Sequence, residues 1–157
     1  IAFQAPDEGT GTDAILVSAA IQAVAEGDHS SSSNATRLEF MTGSSEAATQ
    51  KLQITSDGRG LSQFTAKAWA NFDGTGTPSI DDSHNVASLT DTATGHMTVN
   101  FTNNLANANY SAIVSGWWSH AYTVGAASLT TSNFIAKLSD GSNYIDGTYI
   151  MVLVFGD

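Results

Sequence analysis

The chain has 157 residues, 41% of them hydrophobic, which is enough for one ordinary domain or for a compact domain with a smaller appendage. Its net charge is −10, and its five basic residues, Arg37, Lys51, Arg59, Lys67 and Lys137, are spread thinly, so no basic patch is expected to engage nucleic acid or an anionic membrane. It has no cysteine, which excludes disulfides, thiolate metal sites and a cysteine nucleophile.

Residues 1–12 read as an extended lead-in, with Pro6 and several glycine and threonine turn formers. The first residue is Ile rather than Met, the pattern of a processed or excised segment. Residues 14–25, AILVSAAIQAVA, fit either a helix face or strand alternation; their β-branched residues favour a strand broken near 18–20. Residues 26–33 form a loop with four serines. TRLEFM (36–41) alternates Leu38 and Phe40 with Arg37 and Glu39, and TQKLQIT (49–55) alternates Leu52 and Ile54 with Lys51 and Gln53. These are two strands of a hairpin, which is marginal unless another surface covers it. Glu39 is expected to face outward beside Arg37 and Lys51.

A boundary falls near 60–63, dividing the chain into residues 1–61, an extended and hairpin neck or shaft, and residues 62–157, a tip domain. The second part opens on AKAWANFDGTGTPSI (66–80). Ala66, Ala68, Ala70 and Phe72 point to one side of a strand and Lys67, Trp69 and Asn71 to the other, before turn chemistry at 73–78 ends it. Strands follow over 85–90, 96–101, 110–118, 121–131 and 133–139, separated by glycine- and asparagine-rich turns. YIMVLVF (149–155) is almost continuously apolar, which places it at the centre of a sheet; it is far shorter than the ~20 residues of a membrane-spanning helix. Short strands at roughly ten-residue spacing predict an all-β fold, an antiparallel β-sandwich or jelly-roll-like domain preceded by the short hairpin neck.

The segments KAWANFDGTGT (67–77), HNVASLTD (84–91), TGHMTVNFTNNLANANYSAIVSG (94–116) and the final YIMVLVFGD together resemble the C-terminal domain of bacteriophage tail fibres and related virion proteins. ATRLEFMT with QKLQITSDG upstream is similar to the neck that precedes that domain, so the resemblance spans roughly residues 35–157. It implies a virion fibre or spike component, a homotrimer whose distal domain is exposed for host attachment. At His84 and His96 the family often carries other residues, so neither receives a ligand role from the resemblance.

Trp117-Trp118-Ser119-His120-Ala121-Tyr122 is the strongest binding candidate in the sequence. An exposed indole offers a flat apolar face to a sugar ring, with His120, Tyr122 and nearby serine or asparagine available for hydroxyls. The alternative is that one ring lies in the core and the other at a subunit interface. Tyr144, in the loop DGSNYIDG, is the second candidate, because loops at one end of a sandwich often carry recognition. Asp81-Asp82-Ser83-His84 has metal-ligating atom types but reads as a solvated turn, and Asp140 and Asp146 read as turn caps rather than calcium ligands. No serine has nucleophile-elbow context, and the carboxylates sit almost all in turns, so neither catalysis nor a cofactor is expected.

The sequence therefore predicts a homotrimeric virion-surface protein that contacts other virion proteins and a host surface glycan or protein, without nucleic-acid binding or membrane insertion. The alternatives are a purely structural head-fibre, decoration or tail-assembly component, a bacterial carbohydrate-binding module, or a small glycan hydrolase.

Overall fold

A computed structural model describes residues 1–4, 15–117 and 123–156, with the backbone alone of Trp117. The chain is all-β and antiparallel, and it divides into two units, Ile1–Ser62 and Gln63–Asp157. No helix among the described residues is long and apolar enough to cross a membrane.

The first unit is one five-stranded sheet in sequence order: β1 (Ala2–Phe3), β2 (Ala19–Ala25), β3 (Thr36–Thr42), β4 (Thr49–Ile54) and β5 (Gly60–Leu61). The expected hairpin is thus the middle of a meander. β2 and β5 flank it, and the strand expected from residue 14 begins only at Ala19. Cross-strand register sets Ile21 beside Phe40 and Leu52, and Ala23 beside Leu38 and Ile54. Strand alternation puts these six on one face, with Gln22, Glu39 and Gln53 on the other. The described residues of this unit supply no second layer for the apolar face: among them no hydrophobic side chain is fully buried, and Ile54 remains 41% exposed.

Glu39 corrects its expected position. It is only 5% exposed, because β2 lies beside it. Its carboxylate accepts hydrogen bonds of 2.7 Å from Gln22 Nε2 and from Arg37 Nε. Lys51 instead donates to Thr49 Oγ1.

The second unit is a two-layer sandwich. One sheet has the order β10 (Ser111–Trp117), β13 (Tyr149–Phe155), β6 (Ala68–Asp73), β7 (Ser79–His84). The other has the order β11 (Thr123–Ala127), β12 (Asn133–Ser139), β9 (His96–Phe101), β8 (Val86–Ala93). Period-two alternation builds the core: Ala68, Ala70 and Phe72 from β6 and Ile150, Val152 and Val154 from β13 meet Met97, Val99 and Phe101 from β9 and Phe134, Ala136 and Leu138 from β12. The small alanines of β6 and β12 leave room for the rings of Phe72 and Phe134, both fully buried. Tyr110 packs edge-on to Phe101 and Phe134 and donates its hydroxyl to the Asn133 carbonyl at 3.0 Å. That burial pushes its phenol pKa up.

The central strand β13 pairs with both β10 and β6, but only alternate residues enter the core. Tyr149 and Met151 face outward and are exposed, so its continuous apolar character does not mean burial on both faces. Residues 81–84 also differ from expectation. They belong to edge strand β7, where a bulge beside Asn71 and Phe72 takes up Asp81.

Candidate functional site

Of the five residues expected to bind a receptor, Trp118, His120 and Tyr122 lie outside the described residues, and Trp117 is described only through its backbone, which pairs with Tyr149 at the end of β10. Tyr144 is fully described. It sits in the loop between β12 and β13, half exposed.

That loop is fixed from several sides. Asp140 Oδ1 accepts the amides of Ser142 and Asn143, closing an Asx turn. The amide of Ile145 donates to the Leu138 carbonyl, and Tyr144 forms an isolated bridge with Ser139. Asp146 Oδ1 accepts the amide of Gly95 at 2.7 Å, tying the loop to the β8–β9 turn. Gly95 has φ +67°, and a Cβ there would lie 2.5 Å from the Leu138 carbonyl oxygen and 2.9 Å from Tyr144 Cβ. Only glycine allows this approach.

The Tyr144 ring rests against the His96 imidazole with centroids 4.2 Å apart and planes at 56°. His96 is oriented in turn by Nδ1, which lies 3.0 Å from the Thr94 carbonyl, a contact that places the proton on Nδ1. An exposed phenol is thereby held in one orientation.

Beside Tyr144 a groove of about 350 Å³ opens along β11 and β12, lined by Thr123, Val124, Gly125, Lys137, Ser139 and Gly141. Register explains the grouping. Gly125 pairs with Lys137, Lys137 with His96, and Thr123 with Ser139, so these five residues form two adjacent rows on one sheet. Gly125 opens the floor, since a Cβ there would meet nothing within 4 Å. Lys137 brings a cation to the wall. Arg37 and Arg59 are committed to Glu39 and Asp57, whereas among the described residues Lys137 has no ion pair.

A second groove, of about 400 Å³, lies in the first unit along residues 32–36 and Ser56; it is lined by hydroxyl, amide and small side chains, with no ring or charge. A third surface is the outer face of the β10–β13–β6–β7 sheet. Ile113, Leu153, Trp69 and His84 form one cross-strand row there, next to Ser115, Met151, Asn71 and Asp82. Ile113 and Met151 are exposed and Trp69 is half-buried. Asp82 Oδ1 accepts the Ser83 amide, and among the described residues no three His, Asp or Glu side chains converge as metal ligands would.

Tyr144 is a candidate from the sequence alone, whereas its neighbours in the groove are not. Lys137 stands on the strand that leads into the Tyr144 loop, and Gly125 is brought beside Lys137 only through register, although the scarcity of cations is a signal that each one merits a role. Comparison with family models, curated proteins and solved structures finds no match to this chain.

Proposed function

We propose that the chain is the tip of a bacteriophage fibre or spike, a homotrimer on the virion surface that attaches the particle to a host-cell glycan or protein, without chemistry of its own. The observation that carries this reading is the half-exposed apolar face of the first unit, for which the described residues of that unit supply no second layer. A single-layer sheet with Ile21, Leu38, Phe40, Leu52 and Ile54 on one face lacks the second layer that independent stability requires. Three copies closing around an axis would supply that layer. Each large side chain so buried contributes about 1.5–3 kcal/mol, and closure removes sheet edges. The face carries no charged residue at these positions, so copies of a chain with net charge −10 can meet there without opposing like charges. Three tips per fibre would multiply weak contacts to a repetitive surface. The order of segments resembling phage fibre proteins supports the same reading, including a jelly-roll-like tip.

The labelled chain is expected to bind a subset of a panel of bacterial strains, saturably, with unlabelled chain competing. No saturable binding to any strain or to its isolated envelope polysaccharide overturns the attachment role.

A monomeric carbohydrate-binding module is the second reading. It is favoured by the second unit, which closes a complete two-layer core from its own strands.

A further inference from the structure

We infer that the groove beside Tyr144 is a binding site for an acidic sugar, a pyranose bearing a carboxylate, with Tyr144 stacking on the ring and Lys137 pairing with the acid group. The inference rests on the attachment reading and names the ligand class of its recognition surface.

Four observations carry it. The Tyr144 ring is half exposed yet fixed against His96, so stacking on a sugar costs little ordering of the side chain. A volume of about 350 Å³ is at the small end of ligand sites, of the order of one or two sugar rings rather than a polypeptide segment. Ser139 and Thr123 stand in one row across the groove, where their hydroxyls can exchange hydrogen bonds with those of a sugar, while Gly125 keeps the floor clear.

The fourth is Lys137. On a surface with net charge −10, a cation without an ion pair among the described residues, set in the same groove as an exposed aromatic, selects for a ligand that carries its own negative charge. A neutral sugar would satisfy Tyr144, Ser139 and Thr123 but leave the ammonium unused. The two remaining surfaces are less suited: the groove at residues 32–36 offers no ring or cation, and the outer face around Ile113 and Met151 is apolar with an acidic margin at Asp82.

The test is a chemical-shift titration of the intact chain with D-glucuronic acid and N-acetylneuraminic acid, and with glucose and N-acetylglucosamine as neutral controls. The expected result is saturable shifts confined to residues 123–125 and 137–144, with the acidic sugars binding at least tenfold more tightly than the neutral ones. Lys137→Met is expected to remove that preference while leaving weak neutral binding, and Tyr144→Ala to weaken both classes at least tenfold. Either variant should retain the dispersed amide spectrum of the second unit, since neither side chain belongs to the core. No saturable shift with any acidic sugar, equal binding of acidic and neutral sugars, or an unchanged preference in Lys137→Met overturns the inference. Strain binding that survives both substitutions also overturns the groove as the attachment site while leaving the attachment role standing. Acidic-sugar binding by a chain that attaches to no bacterial strain would uphold the groove and sink the attachment role.

Discussion

Asn85 holds Asn103 with both ends of its side-chain amide. Oδ1 accepts the Asn103 N–H at 2.8 Å, and Nδ2 donates to the Asn103 carbonyl at 3.1 Å while also reaching the Lys67 carbonyl at 3.0 Å. Asn85 is the single residue between β7 in one sheet and β8 in the other, and its φ of +57° turns the chain across the sandwich. The corner is therefore closed by the residue that makes it, and asparagine tolerates that backbone while supplying both a donor and an acceptor.

Asn85→Ala should destabilise the second unit by about 1–3 kcal/mol, because three hydrogen bonds between the Asn85 side chain and the backbone of Lys67 and Asn103 are lost and alanine is strained at positive φ. Asn85→Gly should relieve the strain but not the lost hydrogen bonds, and so fall between wild type and alanine. Urea unfolding followed by Trp fluorescence checks the order; a glycine variant as stable as wild type would show that only the backbone angle matters.

Gly95→Ala should disturb the Tyr144 loop specifically. The added methyl group would sit 2.5 Å from the Leu138 carbonyl oxygen and 2.7 Å from the Ile145 amide nitrogen. The loop must then shift, and the hydrogen bond from Gly95 to Asp146 goes with it. Amide exchange should quicken at residues 140–147 while the core of β6 and β13 stays protected.

Acid should act on the first unit through Glu39. The hydrogen bond from Gln22, then that from Arg37, holds its carboxyl below the ordinary value of 4.5. A folded-state pKa below the unfolded one means stability that is fully present above pH 4.5 and is lost as pH falls through the folded value. Asp57, bonded by Thr55 and Arg59, is lowered from 3.8 and adds to the same direction in the first unit, and Asp73, bonded by Thr75, is lowered from 3.8 and acts likewise in the second. Glu39→Gln should flatten the part of the acid limb nearest pH 4.5, read as the change in urea midpoint between pH 6 and pH 3. An unchanged limb would place the acid sensitivity elsewhere.

The alternation of Ala68, Ala70 and Phe72 made β6 legible in the sequence, as did the Leu38/Phe40 and Leu52/Ile54 pairs for β3 and β4. β7 was hidden because SIDDSH has one apolar residue and an edge strand needs partners on one side only. β1 and β5 are two residues each, too short for any period to register. Glu39 looked exposed because its burial depends on β2, whose register no local pattern reveals. At the candidate site, Tyr144 announced itself by lying in a turn, whereas Lys137 acquires its position from pairing with Gly125 and His96.

Leu38→Asp combined with Ile54→Asp should break the proposed assembly, because it sets two charges on the face that copies would share. The expected outcome is loss of the oligomer together with early unfolding of the first unit, while the second unit keeps its own transition. An oligomer that survives both substitutions would put the subunit contact elsewhere, such as the outer face around Ile113 and Met151.

The mass of the chain in solution, by light scattering on a sizing column, decides whether three copies assemble. The trimeric fibre reading predicts three times the 16.3 kDa of one chain at micromolar concentration, unchanged on dilution. A clean monomer with a folded first unit would contradict it, and would favour a carbohydrate-binding module acting through the groove at Tyr144.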